Sequence, residues 1–164
     1  GSKVTGADFS EEAIDQARSL SDELGIKAQF VLSTVYDLPD VLEAQYDIVF
    51  TSYGVLVWLP DLTRRAEVIS HFLKPGGVFY IVESHPFGDV FYNEEDATRL
   101  RLHYRYTSRP SEPDEVGPGP TYTDGSPKLS STTYEWNHSV GDILNSLVSA
   151  GLTIEFFHEF HFAG

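Results

Sequence analysis

The order of apolar and polar positions at the start of the chain predicts two strands joined by a helix. Short apolar runs that end at Asp8 and Leu32 are typical of strands. Between them, Ser10 is a suitable helix N-cap, and Gly25 is a suitable C-terminal stop. Apolar residues at helical spacing would form the buried stripe of this helix: Ala13, Ile14, Ala17, Leu20 and Leu24.

The pattern repeats in residues 46–83. Residues 46–51 are apolar on both faces, which predicts a parallel strand buried on both sides. Asp61 can begin a helix that ends at the turn 74–77, and residues 78–83 are a further predicted strand. The inner stripe of that helix is expected to consist of Leu62, Ala66, Ile69 and Leu73. Strands that alternate with helices through short links predict an α/β fold with a mostly parallel sheet.

The chain changes character at residue 86. Residues 86–138 hold six of the nine prolines and are interpreted as an insertion or lid before the last helix and strand. Within them, residues 99–106 alternate with period two, which predicts a strand with a cationic face. That face would contact an acidic partner, or it would protect an exposed edge strand from aggregation. The face consists of Arg99, Arg101, His103 and Arg105.

Regular structure is predicted again from residue 139. Ser139 and Asp142 form a capping-box pattern before an apolar helix that Gly151 closes, and residues 154–162 are a predicted last strand. We therefore expect one domain over residues 1–164. Its parts would be a core at 3–85, an insertion at 86–138, and a C-terminal helix and strand at 139–164.

Composition narrows the classes of function. With 41% hydrophobic residues, the chain can form a packed core. The net charge of −14 would repel nucleic-acid phosphates and anionic lipid, so we expect neither a nucleic-acid nor a membrane partner. The chain has no cysteine, which excludes disulfides and thiolate chemistry within it. No apolar run reaches the length of about 20 residues that spans a bilayer, so a cytoplasmic location is expected.

Asp8 is the most informative candidate for chemistry. Ligands of open parallel sheets bind at the carboxyl ends of strands, and a carboxylate there can accept both hydroxyl hydrogens of a ribose. The alternative is that Asp8 helps Ser10 to cap the following helix.

Four stretches carry a family resemblance: residues 4–14, Leu38-Pro39, residues 46–52 and residues 73–79. In this order and spacing they resemble the class I S-adenosylmethionine-dependent methyltransferases, of the compact bacterial type that acts on small molecules. The resemblance covers residues 3–85 firmly and residues 131–160 more loosely. It implies a three-layer α/β/α, Rossmann-like fold, S-adenosylmethionine as cofactor, and a small-molecule substrate.

The resemblance also implies residue roles at the nucleoside end of the cofactor. Asp8 would hold the ribose hydroxyls, and Phe9 would pack on one face of the adenine. Ser33, Thr34 and Val35 would line the other side of the base. The family often has an acidic residue at the position of Thr34, which accepts from the adenine amino group, so this contact would be altered here.

At the methionine end, Thr51, Ser52 and Tyr53 would face the cofactor, largely through backbone groups. The family's first strand and glycine-rich loop would precede the Asp8 strand by about 20 residues. This chain begins close to Asp8 and contains no methionine, so the resemblance implies an incomplete N-terminus. It also implies that a closing strand after Gly164 is missing. A protein that consisted of these residues alone is expected to bind the cofactor weakly or not at all.

Methyl transfer from a sulfonium is an in-line displacement, and it depends on alignment more than on covalent help from the protein. A general base is needed only when the acceptor must lose a proton. His85, at a strand end, and His138, before the last predicted helix, are the candidates, and each has a structural role as its alternative. Three aromatic residues would either wall a substrate pocket or belong to the core: Tyr53, Trp58 and Trp136.

No metal site is expected. His158 and His161, near Glu155 and Glu159, resemble a ligand cluster at first sight. On a strand, however, the two histidines are an odd number of residues apart and would point to opposite faces.

Two other functions remain open from the residues. A nicotinamide-dependent oxidoreductase also holds its ribose with a strand-end acid, although the turn at 74–77 favours a methyltransferase. A non-catalytic α/β binding module is the second alternative. In that case, aromatic residues of the insertion (Phe87, Phe91 and Tyr92) would form a homodimer surface.

Overall fold

The computed structural model describes residues 2–91, 99, 101–116 and 132–160. Two compact units are present: Gly1–Val49 with Arg64–Phe79, and Phe50–Thr63 with Tyr80–Gly164. The described helices are α1 (Glu11–Glu23), α2 (Leu38–Val41), α3 (Leu62–Phe72), α4 (Pro86–Asp89) and α5 (Val140–Ser149), with a 3-10 turn at Leu56–Trp58. The described strands are β1 (Val4–Asp8), β2 (Ala28–Leu32), β3 (Tyr46–Thr51), β4 (Leu73–Ile81), β5 (Asp114–Val116) and β6 (Thr133–Glu135). Within this part of the chain, no helix is long and apolar enough to cross a membrane.

The β1-α1-β2 segment forms as predicted. β1 and β2 are parallel, with Asp8 opposite Leu32. The Ser10 hydroxyl accepts the Ala13 N–H at 3.2 Å at the start of α1, and Gly25 has a φ of 63° after its end. This left-handed conformation suits glycine because it has no Cβ atom.

β3 and β4 are hydrogen-bonded neighbours. A Cβ atom on Gly77 would lie 3.1 Å from the Asp47 carbonyl oxygen, and the Phe50 and Tyr80 rings stack with centroids 6.0 Å apart. Both pairs are separated by 30 residues (77 − 47 and 80 − 50), and such a constant offset is that of parallel strands. Lys74 Nζ lies 2.9 Å from both oxygens of Asp47, and its hydrogen bond and charge lower the pKa of that carboxyl.

Three residues of the predicted α3 stripe are confirmed, because Leu62, Ala66 and Ile69 lie on the helix and are buried. Leu73 is also buried, but it is the first residue of β4 and not part of the helix. Val68 and Phe72, also on α3, form a core cluster with Leu42. Half-buried residues of β2 and β3 pack against that cluster, so α3 fixes the strands whose ends carry the candidate site.

Two burial predictions are wrong. In α1, Ile14 is only 2% exposed, whereas Leu20 is 56% exposed. Leu24, the C-cap residue just after the helix, is 59% exposed. In β3, Val49 packs against the core, whereas Ile48 is 66% exposed and Phe50 59%. Periodicity identifies an apolar face, but it does not say whether another element covers that face.

The predicted cationic strand at 99–106 is also wrong. Among its described residues, only an isolated bridge pairs Leu102 with Phe91, and Leu102 is 77% exposed. Arg105 instead contacts Asp114 Oδ1 at 3.1 Å and Glu112 Oε2 at 3.1 Å. Glu112 and Asp114, which lie downstream in the sequence, therefore neutralise Arg105, so this residue does not belong to a cationic strand face as the alternation predicted. Leu100 lies outside the described residues.

Of the two predictions for the C-terminal region, one is confirmed and the other is wrong. The capping box at α5 is confirmed, because Ser139 Oγ accepts the Asp142 N–H while Asp142 Oδ2 accepts the Ser139 N–H. The last strand is wrong as far as residue 160, since the described residues 152–160 form no ladder. Residues 161 and 162 lie outside the described part.

β4 also differs from its prediction, which was a turn at 74–77 and a strand at 78–83. The strand starts at Leu73 and ends at Ile81, so it includes the predicted turn.

Candidate functional site

Asp8 and Phe9 lie at the carboxyl end of β1, in the first unit. Asp8 Oδ1 accepts the Ser10 N–H at 2.8 Å, so this residue takes part in the start of α1, as the capping alternative predicted. Its other oxygen, Oδ2, has no hydrogen-bond partner among the described residues. The Phe9 ring is 77% exposed. One carboxylate oxygen and one aromatic face are therefore accessible at this strand end.

The residues after β2 lie beside Asp8. The Ser33 N–H donates to the Asp8 carbonyl at 2.9 Å, which brings the two strand ends together. The Thr34 hydroxyl lies 2.6 Å from Asp37 Oδ2 and also accepts the Asp37 N–H, so Asp37 supplies a carboxylate next to position 34. The Val35 side chain packs against the core of the first unit.

Thr51 is the last residue of β3, and Ser52 and Tyr53 follow it; all three lie in the second unit. Tyr53 is exposed, and the chain turns at Gly54, whose φ is 69°. Glu83, just beyond β4, accepts three successive backbone N–H groups from this turn. Gly54 N lies 2.7 Å from Oε2, while Val55 N and Leu56 N lie 2.9 and 3.1 Å from Oε1.

A cavity of about 250 Å³ adjoins this turn within the second unit. It contains groups from the turn after β3, from the segment after β4 and from the residues before α5. The polar residues on its wall are Glu83, Ser84, Asp89, Asp114, Glu135, Asn137 and His138, and the aromatic residues are Tyr104 and Trp136. Two of the predicted site residues, His138 and Trp136, are thus brought to one cavity, whereas Tyr53, Trp58 and His85 are not on its wall.

The acids of the cavity differ in their partners. Asp114 contacts Arg105 and also accepts from Ser108 Oγ and Asn137 Nδ2, both at 3.1 Å. Burial raises the pKa of Asp89, repulsion from Glu83 raises it further, and His85 opposes the shift. Burial likewise raises the pKa of Glu135, with repulsion from Asp89 as the next cause. The cavity is therefore a strongly acidic environment.

The two candidate histidines have different surroundings. His138 Nε2 lies 2.8 Å from the Leu59 carbonyl oxygen, so Nε2 carries the proton in the neutral ring and Nδ1 is the basic nitrogen. His85 Nδ1 accepts the Phe87 N–H at 3.1 Å, and its Nε2 lies 2.6 Å from Glu159 Oε1. Both His85 nitrogens are therefore engaged within the second unit, as expected for an orienting side chain.

The remaining candidates have structural contacts. Trp136 Nε1 donates to the Pro110 carbonyl at 3.0 Å, and Trp58 is partly exposed in the 3-10 turn. The His158 ring lies between Phe156 and Phe160. Among the described residues, no group of three or more His, Asp or Glu side chains is arranged to hold a metal ion. His161 and Tyr92 lie outside those residues.

Sequence reasoning missed Glu83 as a site residue. Asp8 is the last residue of β1 and Glu83 lies two residues beyond β4, so the rule that selected Asp8 could also have selected Glu83. Asp89, Asp114 and Glu135 were missed for another reason. They come together only when the insertion folds, and no spacing in the sequence indicates this.

Comparison with known proteins adds an independent line of evidence. A family model described as "methyltransferase domain" matches residues 1–77. The ubiquinone biosynthesis O-methyltransferase of Erwinia tasmaniensis is 35% identical over 81 residues, which are 49% of this chain and 33% of that protein. The chain thus spans well under two thirds of the length of the curated relatives it matches.

Solved structures resemble the fold over most of the chain. An S-adenosylmethionine-dependent methyltransferase from Clostridium acetobutylicum superposes with a TM-score of 0.69 at 16% identity, covering 94% of this chain and 66% of that one. One from Mesorhizobium loti superposes with a TM-score of 0.61 at 24% identity, covering 98% and 68%. This likeness confirms the predicted α/β, Rossmann-like fold class.

Proposed function

We propose that this chain belongs to the class I S-adenosylmethionine-dependent methyltransferases and takes part in methyl transfer, as the family match over residues 1–77 and the O-methyltransferase relatives support. The reaction would transfer the methyl group of S-adenosylmethionine to a small-molecule acceptor. When bound, this cofactor supplies an electrophilic methyl group for in-line displacement. The proposal depends mainly on the position of Asp8. Its carboxylate lies at the carboxyl end of a parallel strand and has one oxygen available to a ligand.

Residues at the ends of β1 and β2 would hold the nucleoside. Asp8 would accept from the ribose hydroxyls, and the exposed Phe9 ring would pack on the adenine. Ser33, Thr34 and Val35 would line the other side of the base. The Asp37 carboxylate, which accepts from the Thr34 hydroxyl and pairs with Arg64 at 3.5 Å, would supply an acidic group near the adenine although position 34 is not acidic.

Residues at the end of β3 would contact the methionine end of the cofactor. Thr51, Ser52 and Tyr53 would present backbone groups to the cofactor. The acceptor would bind in the 250 Å³ cavity, since its wall includes Gly54 and Glu83, which follow two strand ends. His138, on the same wall, would take the proton of an acceptor that must lose one. His85 would orient the segment after β4.

A methyltransferase is favoured over a nicotinamide-dependent oxidoreductase. Both use a strand-end acid for a ribose, but the family match and the named relatives are methyltransferases. The accessible Asp8 oxygen and the exposed Phe9 ring favour a retained nucleoside site over a non-catalytic module.

The wider organisation is part of the proposal. Residues 3–85 would form the cofactor-binding core, residues 86–138 an insertion over the site, and residues 139–164 the closing part of one domain. We also propose a cytoplasmic protein that does not bind nucleic acid, a proposal that its charge of −14 supports. The exposed Phe87 ring, which packs edge-to-face on Phe91 at 5.2 Å, is the proposed centre of a homodimer surface.

Calorimetric titration of the full-length protein with S-adenosylhomocysteine tests the proposal. Asp8→Asn is expected to weaken binding about ten- to hundredfold, because a hydrogen bond to a charged group contributes about 1.5–3 kcal/mol. Asparagine retains Oδ1 for the Ser10 N–H, so the start of α1 is preserved. Asp22→Asn, an exposed control in α1, is expected to bind like wild type. Equal affinity of wild type and Asp8→Asn, or no binding by wild type, would contradict the proposal.

A further inference from the structure

The Glu83 carboxylate lies where three consecutive backbone N–H groups converge. Gly54 is in the left-handed region, with φ 69°, and Val55 is in the right-handed helical region, with φ −91° and ψ −36°. This succession of conformations turns neighbouring N–H groups toward one side and creates a concave anion-binding site. Here the anion is part of the chain itself, because Glu83 fills the concavity with both of its oxygens.

These hydrogen bonds determine the path of the chain after β3. Hydrogen bonds from N–H groups to a carboxylate are roughly twice as strong as those between neutral groups. The Leu56 N–H belongs to the first turn of a 3-10 helix and has no carbonyl partner within that helix. Glu83 therefore stabilises the sharp turn at Gly54 and, with it, the backbone of residues 51–53.

We infer that Glu83 is a positioning residue for methyl transfer: it holds residues 51–53 in the conformation that receives the methionine end of the cofactor. The inference rests on the proposed function, in which these residues contact the cofactor largely through backbone groups. Glu83 itself would not touch the reacting atoms, since the backbone N–H groups engage both carboxylate oxygens. Its effect would be on affinity and alignment.

Two measurements on the full-length protein test the inference. The first is amide hydrogen exchange at Gly54, Val55 and Leu56, and the second is the affinity for S-adenosylhomocysteine. In Glu83→Gln, which removes the charge at constant size, exchange at these amides is expected to accelerate at least tenfold. Exchange in the β1–β2 ladder should not change, because global stability is retained. Affinity is expected to fall about tenfold.

The matched control is Glu115→Gln, the same substitution at an exposed strand position of the second unit, which should change neither quantity. Glu83→Asp restores the charge but is one methylene shorter, so it should recover part of the affinity; it also serves if Glu83→Gln does not fold. Faster exchange with unchanged affinity would overturn the inference and leave Glu83 a purely structural residue. Unchanged exchange would show that Glu83 does not stabilise the turn at Gly54, and it would overturn the inference as well. Failure of wild type to bind would refute the proposed function, and the inference with it.

Discussion

Glu135 and Asp89 share one cavity wall, and burial together with repulsion from Asp89 raises the pKa of Glu135. The folded protein therefore binds a proton at Glu135 more tightly than the unfolded chain does. As pH rises from the ordinary value of 4.5 through the raised pKa, the folded state loses stability. The acidic cavity thus has a stability cost that depends on pH.

Glu135→Gln should remove that cost. We expect the variant to have a higher free energy of unfolding than wild type at pH 8, with a difference that shrinks toward zero below pH 4.5. Urea unfolding at several pH values measures it. Glu115→Gln, exposed on the neighbouring strand, is the control and should stay within about 0.5 kcal/mol of wild type. A Glu135→Gln protein that is less stable than wild type at pH 8 would contradict the prediction.

The start of α5 depends on the reciprocal hydrogen bonds of Ser139 and Asp142. Ser139→Ala removes the hydroxyl that accepts the Asp142 N–H, and we expect a loss of about 1 kcal/mol in the free energy of unfolding. Denaturant unfolding measures this loss. Ser149→Ala, at the other end of the same helix, should have little effect. Equal losses in both variants would show that the cap contributes nothing specific.

Ile14 and Leu20, two apolar positions of α1, should differ in their contribution to the free energy of unfolding. Ile14→Ala is expected to cost about 2–5 kcal/mol, because it leaves a cavity in the core. Leu20→Ala, at an exposed position of the same helix, should cost less than about 0.5 kcal/mol. Thermal or urea unfolding of both variants compares them. A large loss in Leu20→Ala would mean that the Leu20 side chain is covered in solution.

His138 and His85 should differ in kinetics. If the acceptor must lose a proton, His138→Gln should lower kcat about a hundredfold or more while the affinity for S-adenosylhomocysteine is retained. His158→Gln, a histidine packed between phenylalanines, is the control. His85→Gln should lower both the affinity for S-adenosylhomocysteine and kcat, as expected for an orienting residue. A large kcat loss confined to His85→Gln would reverse the two roles.

Local signals in the sequence were sufficient for much of the fold. The caps at Ser10 and Ser139 were predicted correctly, since each depends on residues within one helical turn. The strand at 99–106 failed because Arg105 pairs with Asp114, and alternation carries no information about such a partner. The exposed Phe50 could not be foreseen either, because burial depends on which element covers a face.

The candidate site was predictable to the same extent. Asp8 follows from its position at a strand end, and its accessible oxygen supports that interpretation. The contact of Glu83 with Gly54 joins residues 29 positions apart, and the tautomer of His138 depends on the Leu59 carbonyl, 79 positions away. Such long-range contacts exist only in the folded chain.

A crystal structure of the full-length protein with S-adenosylhomocysteine would show whether Asp8 holds the ribose. We expect both ribose hydroxyl oxygens within about 3.2 Å of the Asp8 carboxylate, with the adenine against the Phe9 ring. A nucleoside bound elsewhere, with Asp8 in contact only with the start of α1, would contradict it.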